Sequence, residues 1–181
     1  MKRVLLGLGS NKSYKDNSPL DILRYACGEL SGYLVKPSFS SVYKTRAMYV
    51  EDQDDFYNMC VLGFVADDLN AYDFLKYINE VEAKYGRDRS KEIRFGARSL
   101  DIDIELFGEE KFNDSLLQVP HPRICERMFV LVPAIEVLKK SADKIIRDNY
   151  IKSLNLLKEK EDINTIIKIV PQQVVLKWNR K

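Results

Sequence analysis

The chain has 181 residues, of which 45% are hydrophobic and 31% charged, the composition of one ordinary globular domain. A formal net charge of +2 is too small to indicate a nucleic-acid or membrane partner, and three cysteines without a Cys-x-x-Cys pair argue against a disulfide framework or a zinc site. The first apolar run, residues 4–8, is too short for a signal peptide, and no segment approaches a membrane span. We expect a single cytoplasmic domain over residues 1–181, monomeric and without nucleic-acid or membrane partners.

The first part of the chain predicts a strand, a helix and two further strands. Residues 4–8 have the apolar character of a buried strand, and Ser18-Pro19 supplies an N-cap and a first-turn proline for a helix that ends near Gly32. Residues 38–43 and 57–65 are rich in β-branched and aromatic side chains and are separated by a polar loop, which predicts two strands.

The second part continues with a helix, a strand and two more helices. A periodic apolar pattern predicts a helix that ends at Gly86, and a basic connection then leads into a strand over residues 100–107. Helices are predicted over 129–138 and 142–161. The order strand, helix, strand, strand, helix, strand is a split βαβ pattern, which predicts an α+β, ferredoxin-like fold: an antiparallel sheet with helices on one face and an open face for substrate.

Two carboxylates lie at alternating positions in the strand over 100–107. Side chains at i and i+2 of a strand share one face, so Asp101 and Asp103 would emerge together, about 7 Å apart. Apolar residues would line the other face, namely Leu100, Ile102, Ile104 and Leu106. Because two like charges held this way repel each other, we expect them to bind a hard, oxygen-loving cation such as magnesium.

A group of arginines precedes these acids within about fifteen residues: Arg87, Arg89, Arg94 and Arg98. Guanidinium groups bind phosphate oxygens in bidentate fashion, and phosphoryl transfer depends on such electrostatic clamps. An Asp-x-Asp strand by itself is a weak motif, but its combination with the arginines predicts a magnesium-nucleotide site.

Other residues allow both a functional and a structural interpretation. His121 is the only histidine and lies between two prolines, so it is either a packed turn residue or a site residue. Asn58 lies in a predicted strand, where asparagine is disfavoured, and either binds a ring edge or is a satisfied strand-edge amide. Phe56 and Phe129 are core aromatics by default. The sequence Gly7-x-Gly9 lacks the spacing of a phosphate-binding fingerprint.

The chain resembles the 6-hydroxymethyl-7,8-dihydropterin pyrophosphokinase family, also called 2-amino-4-hydroxy-6-hydroxymethyldihydropteridine diphosphokinases. The order and spacing of the motifs match over the first 138 residues, which leaves 140–181 as a less recognisable C-terminal extension. The motifs are Gly9-Ser10-Asn11, Ser41-x-Tyr43-x-Thr45, Phe56-Tyr57-Asn58, the run from Arg94 to Asp103, and Val119-Pro120-His121-Pro122 with Arg127-x-Phe129.

The resemblance implies an enzyme of folate biosynthesis that transfers a diphosphoryl group from ATP to the pterin hydroxymethyl group and releases AMP. By this resemblance Asp101 and Asp103 would hold two magnesium ions, and Arg87 and Arg98 would be catalytic. The residues implied for ATP binding are Glu82, Arg89, Arg94, His121 and Arg127, and those implied for pterin binding are Thr45, Phe56, Asn58 and Phe129.

Three positions depart from the family pattern. Phe95 and Ala97 stand where tryptophan and proline are usual, and Glu105 stands where an apolar residue is usual, on the face of the two aspartates. Glu105 is expected either to be solvated or to perturb them. A family member that binds without catalysing is therefore an alternative.

Two further classes of protein share part of this pattern. An RNA-binding module of the RRM type shares the split βαβ order, but its open face carries aromatic residues, whereas this one carries acids that repel phosphate. A glycosidase needs two acids that flank the scissile bond from opposite sides, whereas Asp101 and Asp103 project in parallel. The sequence therefore favours the pyrophosphokinase interpretation over both.

Overall fold

A computed structural model describes residues 1–47, 53–89, 96–160 and 166–178. The elements are β1 (Lys2–Ser10), α1 (Pro19–Tyr33), β2 (Val35–Phe39), β3 (Val42–Thr45), β4 (Phe56–Val65), α2 (Ala71–Lys84), β5 (Asp101–Phe107), β6 (Phe112–Asn113), β7 (Gln118–Val119), a 3-10 turn (Ile124–Glu126), α3 (Met128–Val137), α4 (Lys144–Lys158), β8 (Ile166–Val170) and α5 (Gln172–Val175).

The main sheet is antiparallel and has the order β5-β1-β4-β3-β8, with β2 also pairing with β4. Strand β1 therefore lies between β5 and β4, so that Gly7 and Gly9 of β1 face Asp103 and Asp101 of β5 in register. The strand that carries the two aspartates is thereby placed beside β1, which ends at Ser10.

Helices α1 and α2 cover one face of the sheet, as the α+β pattern predicted. Ser18 caps α1: its side chain accepts a hydrogen bond from Asp21 N, and the Asp21 carboxylate accepts one from Ser18 N in return, which confirms the predicted helix start. Leu6, Ile102 and Phe74 are fully or almost fully buried in the core between the sheet and these helices. The α+β class and the antiparallel sheet are confirmed, and α1 and α2 are the helices that share one face.

The opposite face is divided into a covered and an uncovered part. Helices α3 and α4 pack on the covered part, where they form a second core with Leu5, Leu62 and Leu106 of the sheet. The predicted position of Leu106, on the same face as Ile104, is wrong: a register shift pairs Leu106 with Leu5 but Ile104 with Leu6, so β5 has an extra residue, Glu105. This bulge turns Leu106 to the other face, which a strict alternation of side chains does not predict.

The strand predicted over 38–43 is two strands, β2 and β3, both of which pair with β4. The break falls at Ser40 and Ser41. Ser40 N donates to Cys60 O at 3.0 Å, and Ser40 Oγ accepts from Cys60 N at 2.9 Å, so the side chain replaces part of the strand ladder.

Residues beyond 139 contribute to the same architecture. The predicted helix is present as α4, and β8 pairs with β3 at the edge of the main sheet. The single-domain assignment over 1–181 stays a prediction. In the part of the chain that the structure describes, no helix is both long enough and apolar enough to cross a membrane.

Candidate active site

A pocket opens on the uncovered part of the sheet, above Gly7 and Gly9 of β1. Its floor is bare because both strand positions lack a side chain: a Cβ at Gly9 would lie 3.1 Å from Asn58 Oδ1. Eight of the predicted site residues line this pocket: Thr45, Phe56, Asn58, Arg98, Asp101, Asp103, Arg127 and Phe129. Residues far apart in the sequence are thus brought to one place.

Asp101 lies between two arginines. Its Oδ1 accepts a hydrogen bond from Arg87 Nη1 at 2.5 Å, and its Oδ2 accepts one from Arg98. Burial alone would raise the pKa of Asp101, but the two guanidinium groups outweigh it and hold that pKa below its ordinary value. Asp101 is therefore an ionised carboxylate at the edge of the pocket.

Asp103 lies on the same strand face as Asp101 and pairs with a different arginine. Arg127 Nη1 is 3.7 Å from Asp103 Oδ2. Desolvation, followed by the charge of Asp101, raises the pKa of Asp103 to about 7, with Arg127 opposing both. The two aspartates thus have different electrostatic environments although they are only two residues apart.

The aspartate pair fits magnesium chemically. Both side chains offer carboxylate oxygens on one strand face of a pocket that also contains arginines. Among the described residues no group of three or more His, Cys, Asp or Glu side chains is placed to hold a metal ion. Magnesium commonly binds through one or two carboxylates and completes its shell with water and phosphate oxygens, so a two-carboxylate site suits it.

The other wall of the pocket is suited to a flat, polar ring. Asn58 and Thr45 are buried neighbours on β4 and β3, and Asn58 Nδ2 donates to Thr45 Oγ1 at 2.8 Å. Phe56 and Phe129 both line the pocket, and the Arg127 guanidinium lies over the Phe129 ring at 5.5 Å. Aromatic faces beside fixed amide and hydroxyl groups are typical of a site that binds a heterocycle.

Residues 5–139 match the family model described as 7,8-dihydro-6-hydroxymethylpterin-pyrophosphokinase (HPPK). The chain belongs to this family.

Curated relatives and solved structures agree with this assignment. The chain is 41% identical over 101 residues to the 2-amino-4-hydroxy-6-hydroxymethyldihydropteridine pyrophosphokinase of Bacillus subtilis (strain 168), which covers 56% of this chain and 58% of the relative. It is 32% identical over 138 residues to the Folate synthesis bifunctional protein of Arabidopsis thaliana, covering 76% of this chain and 27% of the relative. The chain therefore spans less than two thirds of each of these two relatives.

The fold is also that of a solved structure. The wild-type HPPK-DHPS of Plasmodium falciparum, crystallised with SDX-DHP, matches with a TM-score of 0.61 at 17% identity over 91% of this chain and 46% of that one. At this identity the match supports the fold alone.

The residues that the family resemblance assigned to ATP are more dispersed than those assigned to the pterin. Glu82 of α2 is buried outside the pocket lining and accepts hydrogen bonds from Ile102 N and Arg89, each at 2.7 Å, and from Arg87. Burial, more than any neighbouring charge, raises the pKa of Glu82. Glu82 thus positions Arg87 and Arg89 relative to β5, and its direct contact with nucleotide stays a prediction.

His121 lies in the turn after the cis Val119–Pro120 bond, outside the pocket lining. Its Nδ1 accepts a hydrogen bond from Arg123 N at 3.2 Å, and burial, followed by Arg127 and Arg123, lowers the pKa of His121 to about 4. The imidazole is therefore neutral near pH 7. Arg94 and Phe95 lie outside the described residues.

Three features of the HPPK site were not predicted as functional. Gly7 and Gly9 form the pocket floor, and two glycines on one face of a strand are a sequence signal for close ligand approach. Asn11 connects two loops, because its Oδ1 accepts from Arg98 N at 2.7 Å and its Nδ2 donates to Asp54 O at 2.9 Å. Asn11 thereby fixes the segment that carries Arg98.

Glu105 was expected either to be solvated or to perturb the two aspartates, and the structure excludes the first of these. The carboxyl is fully buried, so the solvated interpretation is wrong. Desolvation and then the charge of Asp103 raise its pKa well above the ordinary value for glutamate.

Proposed function

We propose that the chain catalyses ATP-dependent transfer of a diphosphoryl group to the hydroxymethyl group of 6-hydroxymethyl-7,8-dihydropterin, with release of AMP, in folate biosynthesis. Membership of the HPPK family supports this activity, as do the names of the relatives from Bacillus subtilis and Arabidopsis thaliana.

One observation carries the proposal: a single pocket contains both halves of the required chemistry. Asp101, Asp103 and Arg98 lie on one side, where charged phosphates would bind, and Phe56 and Asn58 lie on the other, where a pterin ring would bind. We propose that the pterin binds with its hydroxymethyl group towards the aspartates, which would bring the acceptor next to the phosphates.

The charged residues have distinct proposed roles. Asp101 and Asp103 would hold two magnesium ions, whose chemistry when bound is to neutralise and orient phosphate oxygens. Arg98 and Arg87, which contact Asp101, would bind the phosphate charge that develops during transfer.

The uncharged side of the pocket would bind the pterin, which is the acceptor of the diphosphoryl group. Phe56 and Phe129 would stack on the two faces of the pterin, where each aromatic contact adds roughly 0.5 to 1.5 kcal/mol beyond burial. Asn58 and Thr45 would hydrogen-bond the ring edge. The proline-flanked His121 and the Glu82 cluster would support the nucleotide side.

The direct test is AMP formation by the purified chain with ATP, magnesium and 6-hydroxymethyl-7,8-dihydropterin. We expect AMP and the pterin diphosphate in equal amounts, and no AMP when pterin is omitted or magnesium is removed with EDTA. A folded protein that binds ATP and pterin but makes no AMP would identify a non-catalytic family member and refute the proposed activity. Size-exclusion chromatography of the same preparation tests the expected monomer.

A further inference from the structure

Glu105 is a buried acid without a visible partner in the pocket wall. Its side chain is 0% exposed, and neither carboxyl oxygen has a hydrogen-bond partner among the described residues. Buried polar groups of folded proteins are almost always paired, so an orphaned carboxyl of this kind points to a partner that arrives in another state of the molecule.

The bulge in β5 places this carboxyl close to Asp103. A Cβ at Gly7 would lie 2.9 Å from Glu105 Oε1, so the carboxyl extends over Gly7. Gly7 is the residue directly opposite Asp103 in the neighbouring strand. Since residues opposite each other in an antiparallel pair have Cβ atoms roughly 5 Å apart, the Glu105 carboxyl lies in the same cross-strand row as Asp103.

Arg127 is the cation that faces both acids. Its Nη1 is 3.7 Å from Asp103 Oδ2, which is an ion pair but too long for a hydrogen bond. Its Nε is buried and has no hydrogen-bond partner among the described residues. Arg127 and Glu105 both line the pocket with Asp103, so an unsatisfied guanidinium donor and an unsatisfied carboxyl acceptor share one pocket wall.

We propose that Glu105 is an alternative carboxylate partner of Arg127. When Asp103 binds a divalent cation, the Arg127 guanidinium would pair with Glu105 and no longer with Asp103. A cation on Asp103 would repel Arg127, and a guanidinium without a counter-charge would then remain in a buried wall. By accepting Arg127, Glu105 leaves Asp103 available and makes cation binding more favourable. Glu105 is in this sense a positioning residue that acts through Arg127.

This inference rests on the metal site of the proposed function, and the test separates the two. The probe is Mn²⁺ alone, titrated without nucleotide and followed by the EPR signal of the free ion. Asp103→Asn tests the site itself and should weaken Mn²⁺ binding at least tenfold. Equal binding by the wild type and Asp103→Asn would refute the site and with it the inference.

A double-mutant cycle between Glu105 and Arg127 then tests the inference. Glu105→Met puts an apolar side chain of similar length into a fully buried position and should weaken Mn²⁺ binding about tenfold, because Arg127 stays at Asp103. In an Arg127→Met background the same change should alter the affinity less than twofold. The nearly isosteric Glu105→Gln gives the same cycle if the methionine variant does not fold.

Two results would overturn the inference while leaving the metal site intact. Unchanged Mn²⁺ affinity in Glu105→Met would mean that the carboxyl is satisfied by buried water and has no part in cation binding. An equal loss in both backgrounds would mean that Glu105 attracts the cation directly and not through Arg127.

Discussion

The two faces of strand β5, which has seven residues, differ in character: one is apolar and buried in the core, and the other is acidic and lines the pocket. On one face Ile102 and Ile104 are buried beneath α2, where their contribution scales with apolar area removed from water. On the other face Asp101, Asp103 and Glu105 place three acids along a pocket wall, where an ionised carboxyl group is costly without a cation beside it. The comparison teaches that the apolar face stabilises this fold, whereas the acids on the other face add no such stabilisation and are the residues to which we assign binding.

Replacement of Asp101 on the acidic face should give the largest effect. Asp101→Asn keeps the shape but removes the charge that would hold a cation and that pairs with Arg87 and Arg98, so we expect turnover to fall about 10³-fold or more. Pterin affinity, measured by fluorescence titration, should change less than about threefold. Asp148→Asn, the same change on the exposed side of α4, is the control. Turnover of Asp101→Asn near wild type would contradict the metal assignment.

A truncation in the core that packs on the apolar face should lower stability but leave turnover largely unchanged. Phe74 is fully buried in the core between α2 and the sheet, so Phe74→Ala should lower the free energy of unfolding by about 3 to 5 kcal/mol. Urea unfolding measures this loss, and turnover per folded molecule should be retained. Leu116→Ala, at a position that is 75% exposed, should be nearly neutral. A strong loss of turnover in the folded Phe74 variant would show that the two faces are not independent.

Removal of an arginine at the rim should slow chemistry without weakening binding to the same extent. Arg98→Ala removes a cation that contacts Asp101 in the pocket, and we expect the single-turnover rate to fall about 10²-fold. Affinity for a non-hydrolysable ATP analogue should stay within about threefold of wild type. Arg24→Ala on the outer surface of α1 is the matched control. Unchanged single-turnover kinetics would count against a catalytic role for Arg98.

The smallest expected effect is the contribution of His121, in the turn next to β5, to the pH dependence of stability. The pKa of His121 is lowered to about 4 in the folded chain, against about 6.5 when unfolded, so the unfolded state binds more protons between these values. Stability should therefore fall as pH drops from about 6.5 towards 4. His121→Asn can still accept the hydrogen bond from Arg123 N but does not titrate. Because the ring is only partly buried and solvent screens part of the pKa shift, the variant should lose about 1 kcal/mol less between pH 7 and pH 5.

Urea unfolding at the two pH values measures this difference. At pH 7.5 and above, where the histidine is neutral in both states, the stabilities of the two proteins should vary in parallel. An equal loss of stability in both between pH 7 and pH 5 would show that the turn histidine is not the group responsible.

The amino-acid sequence by itself determined much of the local structure. Ser18-Pro19 fixed the start of α1, because a side-chain cap and a proline act within one turn. The alternation around Asp101 and Asp103 placed both acids on one face, because the side-chain period of a strand is two. The family motifs pointed to the pterin and nucleotide residues, of which Asn58 and Phe129 do meet in one pocket.

Only the tertiary structure decided the features that depend on neighbouring strands. The bulge at Glu105 arises from the register between β5 and β1, so the burial of that acid and the reversal of Leu106 could not be read from either strand alone. The pocket floor also depends on strand pairing, because Gly7 and Gly9 form a binding surface only when Asp103 and Asn58 lie beside them on the neighbouring strands. Local patterns determine which residues share a face, whereas pairing across the sheet determines which of those faces, and which charges, meet.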